Sequence, residues 1–174
     1  MAAERFVEAL NAQIGNELAA HNQYLACAVH YDAETMPRMA AFFYAQALEE
    51  RDHALMMVQY LLDTDAEVTI PGVGAPTATF ADVVAPVALA LEQEKRVTEQ
   101  INGLLRIARE ENDFASEQFM QWFIKEQVEE VATMTDLLAI VTRNKDDLED
   151  IEEYVARESG SDATDPTAPR VAGA

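Results

Sequence analysis

The stretch QALEERDHALMM, residues 46–57, places a glutamate and a histidine three positions apart inside an apolar helical pattern. Residues at this spacing share a helix face, so Glu50 and His53 point in the same direction. Phe43 and Met57 lie on the same stripe, which is the face that a helix of a globular protein buries. Two metal-binding side chains therefore interrupt what should be the core-facing side of this helix.

Each of three further helical segments carries a carboxylate near the midpoint of its apolar stripe. The midpoints of helices in a bundle meet in one layer whichever way each helix runs, so these side chains should converge. The residues expected in this layer are Glu17, Glu50, His53, Glu94, Gln127 and Glu130. No Lys or Arg lies in the stripes to pair with them, and an unpaired buried carboxylate costs several kcal/mol. Two divalent cations would balance the charge of the four carboxylates.

The two halves of the sequence repeat this spacing. Glu50-x-x-His53 in the first half corresponds to Gln127-x-x-Glu130 in the second half, at an offset of 77 residues. A glutamate directly precedes each pair, and another stands 33 residues before it. We therefore interpret the chain as two related helix pairs.

The helical pattern predicts four long helices and a short one. Their ranges are 4–31, 37–63, 82–111, 113–143 and 147–157. Thr35 is predicted to cap the second helix, with Pro37 in its first turn. Residues 64–81 carry no helical pattern, and a segment of this length can run back along a helix of about 40–45 Å. The predicted fold class is all-α: a four-helix bundle with a long crossover between helices two and three and a short fifth helix.

Composition and charge limit the possible functions. Twelve Lys and Arg stand against 32 Asp and Glu, a formal net charge of −20, which argues against a nucleic acid partner. The single cysteine excludes an intrachain disulfide and a Cys-rich metal site. The sequence predicts no membrane span and no signal peptide, and hence a cytoplasmic protein. Residues 1–158 are predicted to form one domain and 159–174 a flexible tail.

The donor types in the predicted layer favour iron or manganese. Carboxylate oxygens with one imidazole and no thiolate suit these metals better than copper or structural zinc. One half-site would consist of Glu17, Glu50 and His53. The other would consist of Glu50, Glu94 and Glu130, with Gln127 in place of a second metal-binding Glu. We expect the second half-site to hold metal more weakly, which suits iron that passes through.

This arrangement resembles the non-haem bacterial ferritins over about residues 4–157. The motifs that carry the resemblance are Glu17, Glu50-x-x-His53, Glu94 and Gln127-x-x-Glu130. The resemblance implies a ferritin-type bundle and an enzyme, a ferroxidase, that oxidises Fe²⁺ with O₂ or H₂O₂ at a di-iron centre. It also implies iron storage as a ferric mineral inside a homo-oligomeric shell of 24 subunits.

The resemblance also implies roles for individual residues. It matches Glu17, Glu50 and His53 to one iron site and Glu50, Glu94 and Glu130 to the other. A third iron site would be formed by Glu49, Glu126 and Glu129 together with Glu130. Tyr24 matches a tyrosine beside the centre, and Arg51 stands where haem-binding bacterioferritins carry a methionine. No haem is therefore expected.

Several alternatives stay open at the level of sequence. The same bundle could be a di-iron oxidoreductase that acts on an organic substrate, a haem-binding bacterioferritin-like protein, or a metal-free helical scaffold. His21, one turn from Glu17, is either an additional ligand or a packed residue. Trp122, beside the fourth stripe, serves either packing or redox chemistry.

Overall fold

Five α-helices form the regular structure of residues 2–158 and 165–174, the part of the chain that this computed structural model describes. They are α1 (Glu4–Ala33), α2 (Pro37–Asp63), α3 (Ala85–Glu110), α4 (Phe114–Arg143) and α5 (Leu148–Glu158). Helix α1 packs against α2 and α3 packs against α4, each pair joined by a short turn, and α1 also contacts α3. The predicted four-helix bundle with a short fifth helix is confirmed. Within the described residues, no helix has the length and apolarity to span a membrane.

The core is divided into two apolar clusters by a layer of polar side chains. The upper cluster contains Tyr24, Phe43 and Met134, and α5 packs against it through Ile151 and Val155. The lower cluster is built from the other ends of the same four helices and includes Phe6, Leu10, Met57, Ile101 and Phe123. Each helix passes from one cluster to the other at its predicted carboxylate, so these carboxylates share one level of the bundle.

The crossover between α2 and α3 lies along α1. The side-chain oxygen of Asn11 accepts the backbone N–H of Thr69 at 2.6 Å. Gln23 exchanges two hydrogen bonds with the backbone of Thr77, at 2.8 and 2.9 Å. A Cβ at Gly15 would lie 2.6 Å from the Pro71 ring, so the crossover approaches α1 more closely than any larger residue would permit. This segment therefore returns over the surface of α1, as its length predicts.

The N-terminus of α2 is capped differently from the prediction. Thr35 adopts a left-handed backbone with a φ of 61°, because the chain must reverse within a short turn. Met36 occupies the cap position, and its side chain makes no capping hydrogen bond. Instead, Glu152 of α5 accepts the backbone N–H groups of Arg38 and Met39 at 2.8 and 2.9 Å. The prediction of Thr35 as the cap is wrong, and a carboxylate from another helix takes its place.

Residues 165–174 lie against the bundle, where the sequence predicts a flexible tail. Asp165 accepts hydrogen bonds from Trp122 Nε1 at 3.2 Å and from Lys125 Nζ at 3.0 Å. Further along, apolar side chains of this segment pack against the lower cluster. These residues therefore contact the bundle, and the rest of the predicted tail, 159–164, lies outside the described part of the chain.

Candidate metal centre

Three buried side chains from α1 and α2 lie within reach of one cation. Glu17, Glu50 and His53 each offer a donor atom, and these atoms lie within 4.8 Å of one another. Their exposed fractions are only 1%, 1% and 2%. Glu50 and His53 occupy one face of α2, with Oε2 3.6 Å from Nδ1. The structure therefore brings together the residues of the predicted first half-site.

Four buried donor atoms in this layer receive no hydrogen bond from an amide, imidazole or hydroxyl group of the described residues. They are Glu17 Oε2, Glu50 Oε2, His53 Nε2 and Glu94 Oε2. The carboxyls of Glu17 and Glu50 interact with each other. Buried polar atoms in folded proteins are nearly always hydrogen-bonded, so a concentration of atoms that lack such a partner requires an explanation. Three of these atoms are carboxylate oxygens and the fourth is an imidazole nitrogen, which together are ligands for a cation such as Fe²⁺.

The residues of the second predicted half-site are buried like those of the first, but their donor atoms lie further apart. Glu94 is 0% exposed and Glu130 is 5% exposed. Tyr24 donates a short hydrogen bond from its hydroxyl to Glu94 Oε1. Among the described residues, Glu50, Glu94 and Glu130 do not form a set of donors within the 4.8 Å that joins the first half-site. Only a ligand, or a shift of side chains, would draw these three carboxylates together.

Gln127 is held by hydrogen bonds to α3. Its side-chain oxygen accepts the Thr98 hydroxyl at 2.9 Å, and the same hydroxyl donates to the backbone carbonyl of Glu94 at 2.8 Å. The Gln127 amide also interacts with the Glu94 carboxylate and thereby favours its charged form. The structure thus places Gln127, a predicted ligand, in hydrogen-bond contact with Thr98 and beside Glu94.

Burial of the four carboxylates raises their pKa values. The pKa values of Glu17, Glu50 and Glu130 lie well above 4.5, first because the groups are desolvated and next because a neighbouring carboxylate repels the charge. Burial raises the pKa of Glu94 to about 7 in spite of its hydrogen bond from Tyr24. Bound cations would reverse this effect, since positive charge favours the ionised form.

A second set of metal-binding donors lies on the neighbouring side of His53. Glu49, His53 and Glu126 offer atoms within 4.8 Å of one another. Glu126 is half-buried, and its burial raises its pKa. Glu129, by contrast, has a side chain that is 63% exposed and lies 3.8 Å from Lys125. The predicted third site therefore has two of its members together, with His53 close by, while Glu129 points to solvent in this conformation.

Aromatic side chains fix the position of the His53 ring. Trp122 and Phe123 of α4 meet it edge-on, at ring-centroid distances of 5.6 and 5.8 Å. Trp122 thus packs directly against the centre, as one of its two predicted roles requires. His21 belongs to neither group of donors among the described residues, and its Nδ1 contacts the carbonyl of Ala47 at 2.5 Å.

Two polar contacts at the centre were not found by sequence reasoning. Gln13 donates to Glu17 Oε1 at 2.8 Å, and Thr98 bridges Glu94 and Gln127 as described above. Gln13 stands four residues before Glu17, so it shares a helix face with this ligand. The four-residue spacing was the available signal in the sequence. A search of the apolar stripe for carboxylates alone does not detect a neutral amide such as Gln13.

Comparison with known proteins identifies relatives over nearly the whole chain. Residues 7–144 match the family model described as the ferritin-like domain. "Ferritin BfrB" of Mycolicibacterium smegmatis is 53% identical over 169 residues, covering 97% of this chain and 93% of that protein. "Bacterioferritin BfrB" of Mycobacterium tuberculosis is 46% identical over the same coverage. "Bacterial non-heme ferritin" of Staphylococcus aureus is 36% identical over 147 residues, or 84% of this chain and 89% of that protein.

Solved structures share the fold. An open-pore ferritin from the archaeon Archaeoglobus fulgidus superimposes with a TM-score of 0.88 at 28% sequence identity. The match covers 92% of this chain and 99% of that one. The bundle is therefore of the ferritin type.

Proposed function

Since this chain belongs to the ferritin family, we propose that it stores iron and oxidises Fe²⁺ at the layer of buried carboxylates between its two apolar clusters. The observation that carries the proposal is the set of four buried donor atoms that receive no hydrogen bond from an amide, imidazole or hydroxyl group. Carboxylates kept at this depth are costly to the free protein, and the proposed substrate, Fe²⁺, offsets the cost by supplying positive charge.

The proposed reaction uses the two half-sites together. The first Fe²⁺ binds Glu17, Glu50 and His53, and the second binds Glu50, Glu94 and Glu130, so Glu50 is shared. Two Fe²⁺ ions supply the two electrons that reduce O₂ to H₂O₂, or H₂O₂ to water, with protons taken from solvent. Tyr24 holds Glu94 by its hydrogen bond. The low solvent exposure of the centre keeps bulk water away from the reacting ions.

A third position receives iron beside the dinuclear pair in this proposal. Glu49 and Glu126 are its main ligands, because both lie within reach of one cation together with His53. Glu129 is exposed in the free chain, and it would have to leave Lys125 in order to contribute. We therefore assign Glu129 the weakest part in holding this ion.

Assembly completes the proposed function. We propose that copies of the chain form a closed cytoplasmic shell of 24 subunits in which the ferric product mineralises. The structural relatives are ferritins, one of them described as open-pore. Large apolar side chains exposed in the single chain support contacts between copies, among them Val29, Leu48, Ile70, Phe114 and Val128.

A haem-binding role is the second candidate, and it rests on the name "Bacterioferritin BfrB" of one relative. Arg51 stands after Glu50, and it pairs with Asp52 at 2.7 Å. Met57 is fully buried in the lower cluster. We favour the non-haem function because an arginine, and not a methionine, follows Glu50, and because Met57 is enclosed in the core. A Soret absorption band in protein purified from haem-replete cells would reverse that preference.

The experiment that tests the proposal combines mass, iron content and oxidation. Metal-free protein receives Fe²⁺ in air while ferric absorbance and O₂ consumption are recorded, and size exclusion then gives particle mass and iron per subunit. The variant Glu17→Ala/Glu94→Ala should oxidise slowly. Its control, Glu8→Ala/Glu92→Ala, changes exposed residues on the same two helices and should behave as wild type.

Distinct results would count against each part of the proposal. Equal oxidation rates in the two double variants would contradict the assignment of the centre. Wild-type protein that oxidises Fe²⁺ but retains no iron in a large particle would favour a di-iron oxidoreductase over a storage protein. A monomer or dimer at all concentrations would contradict the shell.

A further inference from the structure

Gln13 lies one helical turn before Glu17 and is almost fully buried, with 3% of its surface exposed. Its side-chain nitrogen donates to Glu17 Oε1 at 2.8 Å and to Gln100 Oε1 at 3.2 Å. Its side-chain oxygen accepts from Asn16 Nδ2 at 2.9 Å. Each end of the amide therefore has a partner of the opposite kind, which fixes its orientation.

This amide divides the two oxygens of Glu17 into separate roles. Oε1 is held by Gln13, whereas Oε2 is buried and receives no hydrogen bond from an amide, imidazole or hydroxyl group. Glu94 shows the same division, because Tyr24 holds its Oε1 and its Oε2 is unpartnered. Helix α1 thus supplies one donor to Glu17 of the first half-site and one to Glu94 of the second, and the other oxygen of each carboxylate receives no such donor.

We propose that Gln13 is a positioning residue that holds Glu17 so that Oε2 alone is presented to the first metal ion. The inference rests on the proposed function and extends it to the neighbours of the ligands. A neutral amide suits this task, because a Lys or Arg in its place would neutralise Glu17 and compete with the cation. A carboxylate already held in its binding position also loses less conformational freedom when the ion arrives.

Co²⁺ is the probe for this inference, since air does not oxidise it in such sites and its visible spectrum reports ligand geometry. Metal-free Gln13→Leu, which keeps the bulk but removes the amide, is titrated with Co²⁺ beside the wild type. The matched control is Gln23→Leu, a second buried glutamine on α1 whose hydrogen bonds go to the crossover. Both variants lose buried hydrogen bonds, so both should melt at a lower temperature than wild type.

Metal binding separates the two variants. Gln13→Leu should bind the first Co²⁺ about 10- to 100-fold more weakly, the usual cost of removing a group that orients a metal ligand, and its Co²⁺ spectrum should change. Gln23→Leu should keep the wild-type affinity and spectrum. Asn16→Ala, which frees the Gln13 amide to rotate, should shift the affinity in the same direction by a smaller factor.

The outcomes distinguish this inference from the proposed function. Wild-type affinity and spectrum in Gln13→Leu would overturn the role of Gln13 and leave the metal centre standing. If Gln13→Leu does not fold, unchanged Co²⁺ binding in Asn16→Ala overturns the inference in its place. Wild-type protein that binds no Co²⁺ at all would contradict the proposed function itself.

Discussion

The first helix pair, α1 and α2, and the second, α3 and α4, carry ligands at matching positions but present them differently. Glu17, Glu50 and His53 already lie within reach of one cation. The corresponding positions of the second pair hold Glu94, Gln127 and Glu130, and there Gln127 is engaged by Thr98. The first helix pair therefore gathers its candidate ligands within reach of one cation, and the second pair holds its candidate ligands further apart.

The difference follows from the charges of the side chains. In the first pair an imidazole accompanies two carboxylates, and a neutral ligand adds no repulsion when it approaches them. In the second pair Glu130 must approach Glu94, and repulsion by Glu94 adds to the burial that raises the pKa of Glu130. The two helix pairs have similar backbones, but their candidate ligands differ in how closely they lie together without metal. We therefore expect the first pair to bind the first ion.

The largest effect should come from Glu50→Ala, because this carboxylate is shared by both half-sites. We expect the initial rate of Fe²⁺ oxidation to fall by about 100-fold or more, since the loss of a mere supporting group already costs about 10- to 100-fold. The initial oxidation rate should decrease less in His53→Ala and in Glu130→Ala, because each affects one half-site. Of these two variants, His53→Ala should have the lower rate. Stopped-flow absorbance measures all three rates. Equal oxidation rates in His53→Ala and Glu130→Ala would contradict the proposed difference between the half-sites of the two helix pairs.

Next in size is the stability of the metal-free protein as a function of pH. Burial raises the pKa of Glu94 from 4.5 to about 7, so the folded state holds a proton that the unfolded state releases. The stability that this proton contributes is complete below about pH 4.5 and is lost as the pH rises through about 7. The pKa values of Glu17, Glu50 and Glu130 are also raised by burial, so these groups contribute to the pH dependence in the same direction.

Thermal melts of wild type and Glu94→Gln in the presence of a chelator measure this effect. The melting temperature of wild type should decrease relative to that of the variant over this range of pH. Co²⁺ at 100 times its dissociation constant should restore about 2.7 kcal/mol. A wild-type protein that gains stability over Glu94→Gln as the pH rises would contradict the assigned direction.

A smaller effect is expected from Gln127→Glu, which makes the second pair more like a complete ligand set. The added carboxylate should strengthen binding of the second Co²⁺ by about 10-fold, at the lower end of the effects known for groups around metal ligands. It should also lower the melting temperature of the metal-free protein, because it adds repulsion to the layer. Titration calorimetry resolves the second binding step. Unchanged affinity for the second ion would mean that Gln127 does not limit this half-site.

The smallest effect should separate Glu126 from Glu129. Glu126→Gln removes a residue that lies near Glu49 and His53, and it should slow later additions of iron while the first two ions are oxidised almost normally. Glu129→Gln changes an exposed side chain and should alter multi-turnover rates less. Oxygen-electrode measurements of the ratio of Fe to O₂ provide the comparison. A larger change in Glu129→Gln would show that this side chain turns inward when iron is present.

Helical spacing predicted the position of the centre but not the contacts that support it. Glu17, Glu50 and Glu94 could be placed in one layer because the period of a helix fixes which residues face the core. Hydrogen bonds such as that from Gln13 depend on side-chain torsions, which the spacing does not specify. Glu152 reaches the start of α2 from over a hundred residues away, and no local pattern marks such a cap.

Glu129 and the C-terminal segment show two further limits of the sequence. Glu129 stands next to Glu130, but neighbouring residues on a helix are about 100° apart, so only one of them faces the layer. Residues 165–174 are rich in proline and small side chains, and a composition of this kind is typical of a flexible segment. Asp165 nonetheless finds Trp122 and Lys125 on the surface of α4, a match that becomes visible only once the helices are assembled.

The division of the core into two clusters bears on how such a chain can evolve. On α1 the lower cluster ends at Ile14 and the upper one begins at Tyr24, about 15 Å apart at 1.5 Å per residue. Substitutions in the two clusters should therefore have additive effects on stability. Because the apolar residues hold the helices together on both sides, the residues between them can be exchanged for other ligands without loss of the scaffold. A descendant could acquire a new metal preference in that one layer while inheriting both cores intact.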